Sequence, residues 1–122
     1  MDHQQIVDAY YDAWINRKGD MSDVPLALDL TYQGPVASFT DSAGFAAMAR
    51  EAGAAVTAFR VRRQFTDGDT VCAIVDFEMA MVPDQAMTSA EILEIRGGEI
   101  VRGELIYDAE PLRKAMAAAA DE

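Results

Sequence analysis

The amino-acid sequence predicts a single α+β domain, residues 1–122, in which helices cover one face of a curved antiparallel sheet. Two patterns lead to this fold class: apolar residues recur at helical spacing early in the chain, and they alternate with polar residues in long runs after residue 54. Glycine-containing turn sequences between those runs make neighbouring strands antiparallel. The length of 122 residues and the hydrophobic content of 51% are typical of one folded domain with one core.

The first helix is predicted over residues 4–17. Its apolar residues recur at spacings of three and four and form one stripe: Ile6, Val7, Tyr10, Tyr11 and Trp14. The cations at residues 17–18 suit the carbonyl end of a helix, and Gly19 can adopt the left-handed conformation that ends one. We therefore expect an amphipathic helix that stops just before Gly19.

The segment that follows predicts a short connection and then a second helix. Residues 24–30 are interpreted as a short helical connector, and residues 30–33 as a brief strand that the following Gly-Pro pair breaks. Residues 40–42 have the side chains of a helix N-cap, which predicts a helix over residues 43–51. Gly53 is expected to end that helix.

Four long strands are predicted, over residues 55–65, 70–81, 87–96 and 99–107. Tight hairpin turns are expected at residues 67–69 and 97–98, and a longer connection at residues 82–86. A last helix is expected to begin with Asp108 as its cap and Pro111 in its first turn, and to run through the alanines at 117–120.

The alternation in the third of these strands places Glu91 among apolar neighbours. Ser89, Glu91, Leu93 and Ile95 share one face of the strand. A carboxyl group in such surroundings resists ionisation, so its pKa should rise and it could donate a hydrogen bond as a neutral acid. The alternative is that Glu91 faces solvent or pairs with Arg60 or Arg62 across the sheet.

Periodicity alone does not decide which face of the strand over residues 70–81 points toward the interior. Asp76 shares a face with Cys72 and Ile74, while the opposite stripe over residues 71–79 is almost wholly apolar. If the Asp76 face lines a pocket, the apolar stripe needs another cover, and we then expect a homodimer through the sheet. The other parity buries the apolar stripe under the helices and leaves Asp76 in water.

Charge and composition exclude several classes of partner. The ten Lys and Arg against 21 Asp and Glu give a net charge of −11, and Arg60, Arg62 and Arg63 form the largest basic cluster. Nucleic acid and anionic membrane surfaces are therefore poor partners. One Cys and one His cannot build a zinc site, and no nucleotide-binding motif predicts a cofactor. The start of the sequence has no basic leader or long apolar stretch, so we expect a cytoplasmic protein.

Several strings occur in a recognisable order along nearly the whole chain. They are Tyr-Tyr-Asp-Ala-Trp at 10–14 before Gly-Asp at 19–20, Tyr-Gln-Gly-Pro at 32–35, Ala-Glu-Ile-Leu at 90–93, Gly-Gly-Glu-Ile at 97–100 and Ile-Tyr-Asp at 106–108. Together with the order of elements, they resemble the nuclear transport factor 2-like superfamily, in particular its SnoaL-like polyketide cyclase branch. The resemblance implies a cone-shaped sheet that encloses an apolar pocket with the first helix. Members include ketosteroid isomerase, limonene epoxide hydrolase, cyclases and proteins that only bind or dimerise.

The resemblance also bears on the reaction. The helix-one tyrosine of the isomerase pattern falls on Tyr11, if one residue is inserted before residues 19–20, and its protonated acid falls on Glu91. Its general-base aspartate, however, falls on Gly34, which argues against ketosteroid isomerisation. One aspartate of the epoxide hydrolase pattern falls on Asp76, but its arginine falls on Ile74 and its second aspartate on Leu105.

The sequence thus predicts a cofactor-free acid/base enzyme of the cyclase, isomerase or epoxide hydrolase type, acting on an apolar polyketide- or terpenoid-like molecule. Glu91 and Tyr11 are the expected donors and Asp76 the possible base. Five further residues are predicted to contact the ligand: Trp14, Tyr32, Leu93, Leu105 and Tyr107. The alternative is a ligand-binding or dimerising module of the same fold that performs no catalysis.

Overall fold

Three helices and one six-stranded sheet make up residues 1–121, the part of the chain that this computed structural model describes. The elements in chain order are α1 (His3–Asn16), β1 (Leu26–Gln33), β2 (Ser38–Phe39), α2 (Ser42–Ala55), β3 (Val56–Asp67), β4 (Thr70–Met79), β5 (Val82–Arg96), β6 (Glu99–Tyr107) and α3 (Glu110–Ala120). The strand order across the sheet is β2-β1-β6-β5-β4-β3. The predicted α+β class is confirmed, with a curved sheet that does not close.

Helix α1 agrees with its prediction to within one residue at each end. A capping box that the sequence analysis did not anticipate starts it: the Asp2 carboxylate accepts from the Gln5 amide N–H at 2.8 Å, and the Gln5 side chain accepts from the Asp2 N–H at 2.9 Å. Lys18 and Gly19 adopt positive φ values of 52° and 78° after the helix. The Gly19 N–H then donates to the Ala13 carbonyl, which closes the C-terminal turn.

Helix α2 extends past Gly53, so the prediction that this glycine ends the helix is wrong. Asp41 caps the start of α2 by accepting from the Gly44 amide at 2.7 Å, within the predicted cap region. Gly53 is buried, and a Cβ atom there would lie 2.1 Å from the Lys18 carbonyl oxygen. The glycine therefore permits the turn after α1 to lie directly against α2.

Replacing Gly53 with alanine tests this close approach. Alanine has the higher helix propensity by about 1 kcal/mol, but its Cβ atom must displace the Lys18 backbone. We expect Gly53→Ala to lower the free energy of unfolding by at least about 2 kcal/mol in urea titrations. Ala54→Gly, at the exposed neighbouring position, measures propensity alone and should cost about 1 kcal/mol. A Gly53→Ala protein as stable as the unchanged chain would contradict this account.

Strand β1 replaces the expected helical connector, so that interpretation of residues 24–30 is wrong. β1 pairs in parallel with β6, and Leu26 lies opposite Ile100 while Thr31 lies opposite Arg102. Five steps along β1 thus match two steps along β6, which creates a bulge. The bulge places the buried residues Ala27 and Leu30 three positions apart. That spacing resembles a helical stripe in the sequence.

Strands β3 to β6 form the predicted antiparallel meander. The connection expected at residues 82–86 is instead part of β5: Val82 pairs with Met79, and Met87 pairs with Phe77. The four residues between Val82 and Met87 lie opposite Glu78 alone and form a large bulge. Because a bulge leaves residues unpaired, it accommodates the proline at 83, which has no N–H to donate.

The inner face of β4 carries the apolar stripe. Val71, Ala73, Val75 and Phe77 are buried in one core cluster with residues of α1, α2 and β5. Asp76 and Glu78 lie on the opposite, outer face. The structure thus adopts the second of the two parities, in which the helices cover the stripe. The argument for a homodimer, which depended on the first parity, therefore no longer applies, and the dimer stays a prediction.

Helix α3 closes the described part of the chain. Its N-cap is Ala109 rather than the predicted Asp108, although the Asp108 carboxylate accepts from the Glu110 amide at 3.1 Å. Pro111 lies in the first turn, as predicted. None of the helices within residues 1–121 has the length and apolar character needed to span a membrane.

Candidate functional site

The Glu91 carboxyl lies in the middle of β5, on the inner face of the sheet, and is only 4% exposed. Three tyrosine hydroxyls donate hydrogen bonds to it. Tyr10 donates to Oε2 at 2.8 Å, Tyr11 donates to Oε1 at 2.9 Å, and Tyr32 donates to Oε2. The alternative in which Glu91 pairs with an arginine is therefore wrong. We refer to Glu91, Tyr10, Tyr11 and Tyr32 as the tyrosine–carboxyl cluster.

Helix α1 supplies two of the three phenols from consecutive positions. Tyr10 and Tyr11 point in different directions from the helix axis, since successive residues are separated by about 100°, and their hydroxyls reach different carboxyl oxygens. The two rings meet edge to face, with centroids 5.1 Å apart. Tyr10 also stacks on Phe45 of α2. These packed rings hold both hydroxyls in place.

Strand β1 supplies the third phenol, and a glycine makes room for it. Tyr32 pairs with Gly103 of β6, and a Cβ atom at Gly103 would lie 2.3 Å from Cδ2 of the Tyr32 ring. The ring therefore lies across the backbone of β6, where any larger residue would displace it. Gly103 thus positions the Tyr32 hydroxyl against Glu91.

Burial dominates the ionisation of the cluster. Loss of solvation raises the pKa of Glu91 above its usual 4.5, while the hydrogen bonds from Tyr32, Tyr10 and Tyr11 act in the opposite direction. Burial and the neighbouring Glu91 charge raise the pKa of all three tyrosines. The phenols therefore remain protonated donors, and Glu91 is the group in the cluster that can change its charge.

A cavity of about 150 Å³ opens beside the cluster. It is mostly apolar, and the lining side chains that carry an oxygen atom are those of Tyr32, Ser89, Glu91 and Tyr107. The remaining lining residues come from the helices, the sheet and the loop between β1 and β2: Trp14, Gly34, Pro35, Val36, Ala37, Phe39, Met48, Ala52, Val56, Phe59, Val75, Phe77, Met79, Leu105 and Leu112. Tyr10 and Tyr11 do not line the cavity and reach Glu91 from behind it.

The volume of the cavity limits what can occupy it. An apolar protein cavity of roughly 150 Å³ holds a molecule about the size of benzene, whereas pockets for larger organic ligands span about 300–1,000 Å³. A single small ring or a branched chain of similar size fits this space. The volume is below the range that is usual for a ligand the size of a polyketide or a terpenoid of several rings.

The structure brings together most of the residues predicted from the sequence. Glu91, Trp14, Tyr32, Leu105 and Tyr107 line the cavity, and Tyr11 contacts Glu91 directly. Leu93 is 1% exposed and belongs to the core rather than to the cavity wall.

Asp76, the predicted base, lies on the outer face and does not reach the cavity. Its carboxylate accepts two hydrogen bonds from Arg62, at 2.6 and 3.1 Å, and one from Thr88 at 2.6 Å. Arg60 lies 3.6 Å away. Thr88 and Arg62 hold the pKa of Asp76 below its usual value. Asp76 is thus part of a cross-strand ion-pair cluster outside the site.

Sequence reasoning missed several residues of the site. Tyr10 was assigned only to the apolar stripe of α1, although the adjacent pair of tyrosines was a usable signal. Phe39 and residues 35–37 of the preceding loop were missed because the two-residue strand β2 has no periodicity to detect. Gly103 had no signal in the sequence, since its role depends on the pairing between β1 and β6.

The described residues offer no evident metal site. Within residues 1–121, no three His, Cys, Asp or Glu side chains lie close enough together to hold a metal ion. The polar side-chain groups of the lining residues are one carboxyl, three hydroxyls and the indole N–H of Trp14. What this arrangement can do chemically is accept or donate a proton, and donate hydrogen bonds, at one end of an apolar space.

Replacing Gly103 with alanine tests how Tyr32 is positioned. The added Cβ atom must push the Tyr32 ring away from Glu91, so one of the three hydrogen bonds should be lost. We expect a stability loss of about 1–3 kcal/mol in urea titrations and a further upward shift of the Glu91 pKa. If Gly103→Ala is made in a Tyr32→Phe background, where that hydrogen bond is already absent, the pKa should not move further. An unchanged Glu91 titration in Gly103→Ala alone would contradict the positioning role.

The raised pKa of Glu91 also predicts how stability depends on pH. A group whose pKa is higher in the folded state contributes stability that is fully present below its unfolded pKa, near 4.5, and is lost as the pH rises through its folded pKa. We expect the stability of the unchanged protein, measured relative to Glu91→Gln, to fall as the pH is raised from 4.5 toward 8. A difference that grows with pH would show instead that Glu91 is ionised and has a lowered pKa.

Comparisons with known proteins agree with this fold. The sequence model of the SnoaL-like domain matches residues 7–103. No curated protein sequence gives a significant match. A crystal structure of a protein from Kribbella flavida DSM 17836 is similar with a TM-score of 0.81 and 24% identity, covering 97% of this chain and 96% of that one.

Two further solved structures have the same fold. A protein with a ketosteroid isomerase-like fold from Catenulispora acidiphila DSM 44928, in complex with trimethylamine, has a TM-score of 0.74 and 20% identity, covering 93% of this chain and 92% of that one. An LEH-like epoxide hydrolase from M. tuberculosis has a TM-score of 0.70 and 19% identity, covering 95% of this chain and 90% of that one. The resemblance drawn from the sequence is therefore confirmed, and the chain belongs to the SnoaL-like domain family.

Proposed function

We propose that the protein binds a small, mostly apolar molecule in the cavity and that Glu91 exchanges a proton with it, as an acid/base enzyme that needs no cofactor. The observation that carries this proposal is the buried Glu91 carboxyl, which lines the cavity and accepts three phenol hydrogen bonds. A carboxyl whose pKa is raised by burial is suited to proton transfer near neutral pH.

Tyr32 is the phenol that can act together with Glu91 on a ligand. Among the three tyrosines of the cluster it alone lines the cavity. When Glu91 is protonated, its O–H can donate to the Tyr32 oxygen, and the Tyr32 O–H is then free to turn toward a ligand. Tyr10 and Tyr11 continue to donate to the carboxyl oxygens. The cluster can thus present either a proton acceptor or a hydrogen-bond donor to the cavity.

A single carboxyl restricts the reaction to certain types. The Gly34 backbone lines the cavity where the isomerase pattern has its base, and Asp76 faces away. Leu105 lines the cavity where the epoxide hydrolase pattern has its second aspartate, and Ile74 lies with Asp76 on the outer face of β4. Proton transfer in which Glu91 both removes and returns a proton requires no second carboxyl. This favours an isomerisation or a ring closure over epoxide hydrolysis.

The substrate in this proposal is smaller than the sequence suggested. The cavity of about 150 Å³ favours a single ring or a short branched chain over a polyketide or terpenoid. The Catenulispora acidiphila structure of the same fold contains trimethylamine, which is also a small molecule. A compound of this size with one polar atom can place that atom at Glu91 and its carbon skeleton against the aromatic wall.

Ligand binding without catalysis is the second candidate function. It is favoured by the absence of a second acidic or basic side chain among the lining residues within the described part of the chain. It is also favoured by the hydrogen bonding of the cluster, because every buried side-chain polar atom in residues 1–121 already has at least one partner without a ligand.

Proton exchange can be tested without knowing the natural substrate. Cyclopentanone, a single ring with one carbonyl, is incubated with the protein in D₂O, and deuterium incorporation beside the carbonyl is followed by NMR. We expect acceleration by the unchanged protein and a loss of about 100-fold or more in Glu91→Gln, the usual effect of removing a general acid or base. Tyr32→Phe should lose a smaller part of the acceleration of deuterium exchange.

Glu78→Gln is the matched control, because Glu78 lies on the outer face of β4 and the substitution removes the same charge. Its exchange rate should equal that of the unchanged protein. Equal rates in Glu91→Gln and the unchanged protein would exclude acid/base action by Glu91. Binding of cyclopentanone in the cavity without any exchange would support the second candidate function.

A further inference from the structure

The cavity has an acidic end without a basic counterpart. Glu91 forms no ion pair within residues 1–121, and no Lys, Arg or His among them lines the cavity. A buried carboxylate without a cation is costly. A cation that enters the cavity would therefore find a partner there that the protein does not itself neutralise.

The hydrogen-bond capacity of Glu91 is not exhausted by the tyrosines. A carboxylate has about four acceptor positions, and the three phenols occupy two on Oε2 and one on Oε1. One acceptor position, on Oε1, is left without a donor from these tyrosines. Glu91 itself is among the lining residues, so an N–H group of a bound molecule can reach it.

Aromatic rings form much of the remaining wall: Trp14, Tyr32, Phe39, Phe59, Phe77 and Tyr107. Trp14 stacks on Phe59 with centroids 5.8 Å apart, and Phe77 meets Tyr107 edge to face at 5.4 Å. Ring faces attract cations within about 6 Å of their centroids. In a space of about 150 Å³, an occupant contacts several of these walls at once.

We propose that the cavity binds a small alkylammonium ion, whose N–H donates to Oε1 of Glu91 and whose alkyl groups lie against the aromatic walls. The inference rests on the proposed function in that it uses the same cavity and the same carboxyl. It names the class of ligand: an amine that is protonated at neutral pH, as a lysine side chain is, with a carbon skeleton no larger than a single ring.

The charges around the cavity are compatible with such a ligand. The net charge of −11 attracts cations toward the protein. Arg113 is a cation near the rim, close enough to Tyr107 to act on the pKa of that phenol, and its Nη2 donates to the Pro35 carbonyl at 2.5 Å. A bound ammonium ion also favours the ionised form of Glu91, the form that the three phenol donors stabilise.

The experiment compares two probes of the same shape, tert-butylammonium chloride and tert-butanol, at pH 7.5 and constant ionic strength. Trp14 is the single tryptophan and lines the cavity, so its fluorescence and its indole N–H resonance report occupancy. We expect the ammonium ion to bind at least tenfold more tightly than the alcohol. This preference should disappear in Glu91→Gln and persist in Glu78→Gln.

A substitution in the aromatic wall tests separately how much the rings contribute to binding of the ammonium ion. Trp14→Leu should weaken tert-butylammonium binding about three- to thirtyfold, as expected for one lost cation–π contact, with calorimetry replacing fluorescence. The same substitution should weaken the binding of tert-butanol by a smaller factor. The comparison of the two probes on the unchanged protein requires no variant, so it decides the matter even if a substitution impairs folding.

Equal binding of both probes would overturn the inference and leave the proposed function standing with an uncharged ligand. Ammonium binding that is unchanged in Glu91→Gln would also overturn it, because the ion would then be attracted by the surface charge. If neither probe affects Trp14, the inference fails together with the proposed use of the cavity as a binding site.

Discussion

The burial of one carboxyl group sets the main constraint on this molecule. Glu91 lies in the middle of the sheet and forms no ion pair with any residue in the described range 1–121, so its polar oxygens must be satisfied by neutral donors. Three phenols provide these hydrogen bonds, each of which contributes about 1.5–3 kcal/mol when the acceptor is charged. They come from α1 and β1, elements far from β5 in the chain. The cluster therefore fixes both elements against the sheet and simultaneously forms one end of the cavity.

Two glycines allow this arrangement by omitting a side chain. Gly103 lets the Tyr32 ring lie across β6, and Gly53 lets the turn after α1 lie against α2, which fixes where β1 begins. In each case the neighbouring group is in the space that a Cβ atom would need. The positions of the phenols thus depend on close backbone contacts that do not involve Glu91 itself. A small shift of the backbone at either glycine would therefore change the geometry of the hydrogen bonds to Glu91.

The sequence was informative where a pattern is local and regular. The helical stripe of α1 and the alternation in β5 placed Tyr11 and Glu91 correctly on inward faces, and the hairpin turns predicted the meander. The bulges in β1 and β5 explain two wrong predictions, the helical connector at residues 24–30 and the connection at residues 82–86. The extra residues of a bulge change the spacing of buried positions. The faces of β4 could not be assigned, since both carry apolar residues. Asp76 was therefore considered for a site from which the sheet separates it.

The remaining functional question is chemical rather than architectural, because this fold serves many reactions. The backbone of Gly34 lines the cavity, but this residue has no side chain to act as a base. A Cβ atom there would lie 3.4 Å from the Ala37 carbonyl oxygen, an ordinary van der Waals contact, so the backbone does not itself require glycine at this position. The cavity consequently has one polar end, at Glu91, and an apolar remainder. A ligand must bring to it the complementary group, either a proton to share or a positive charge.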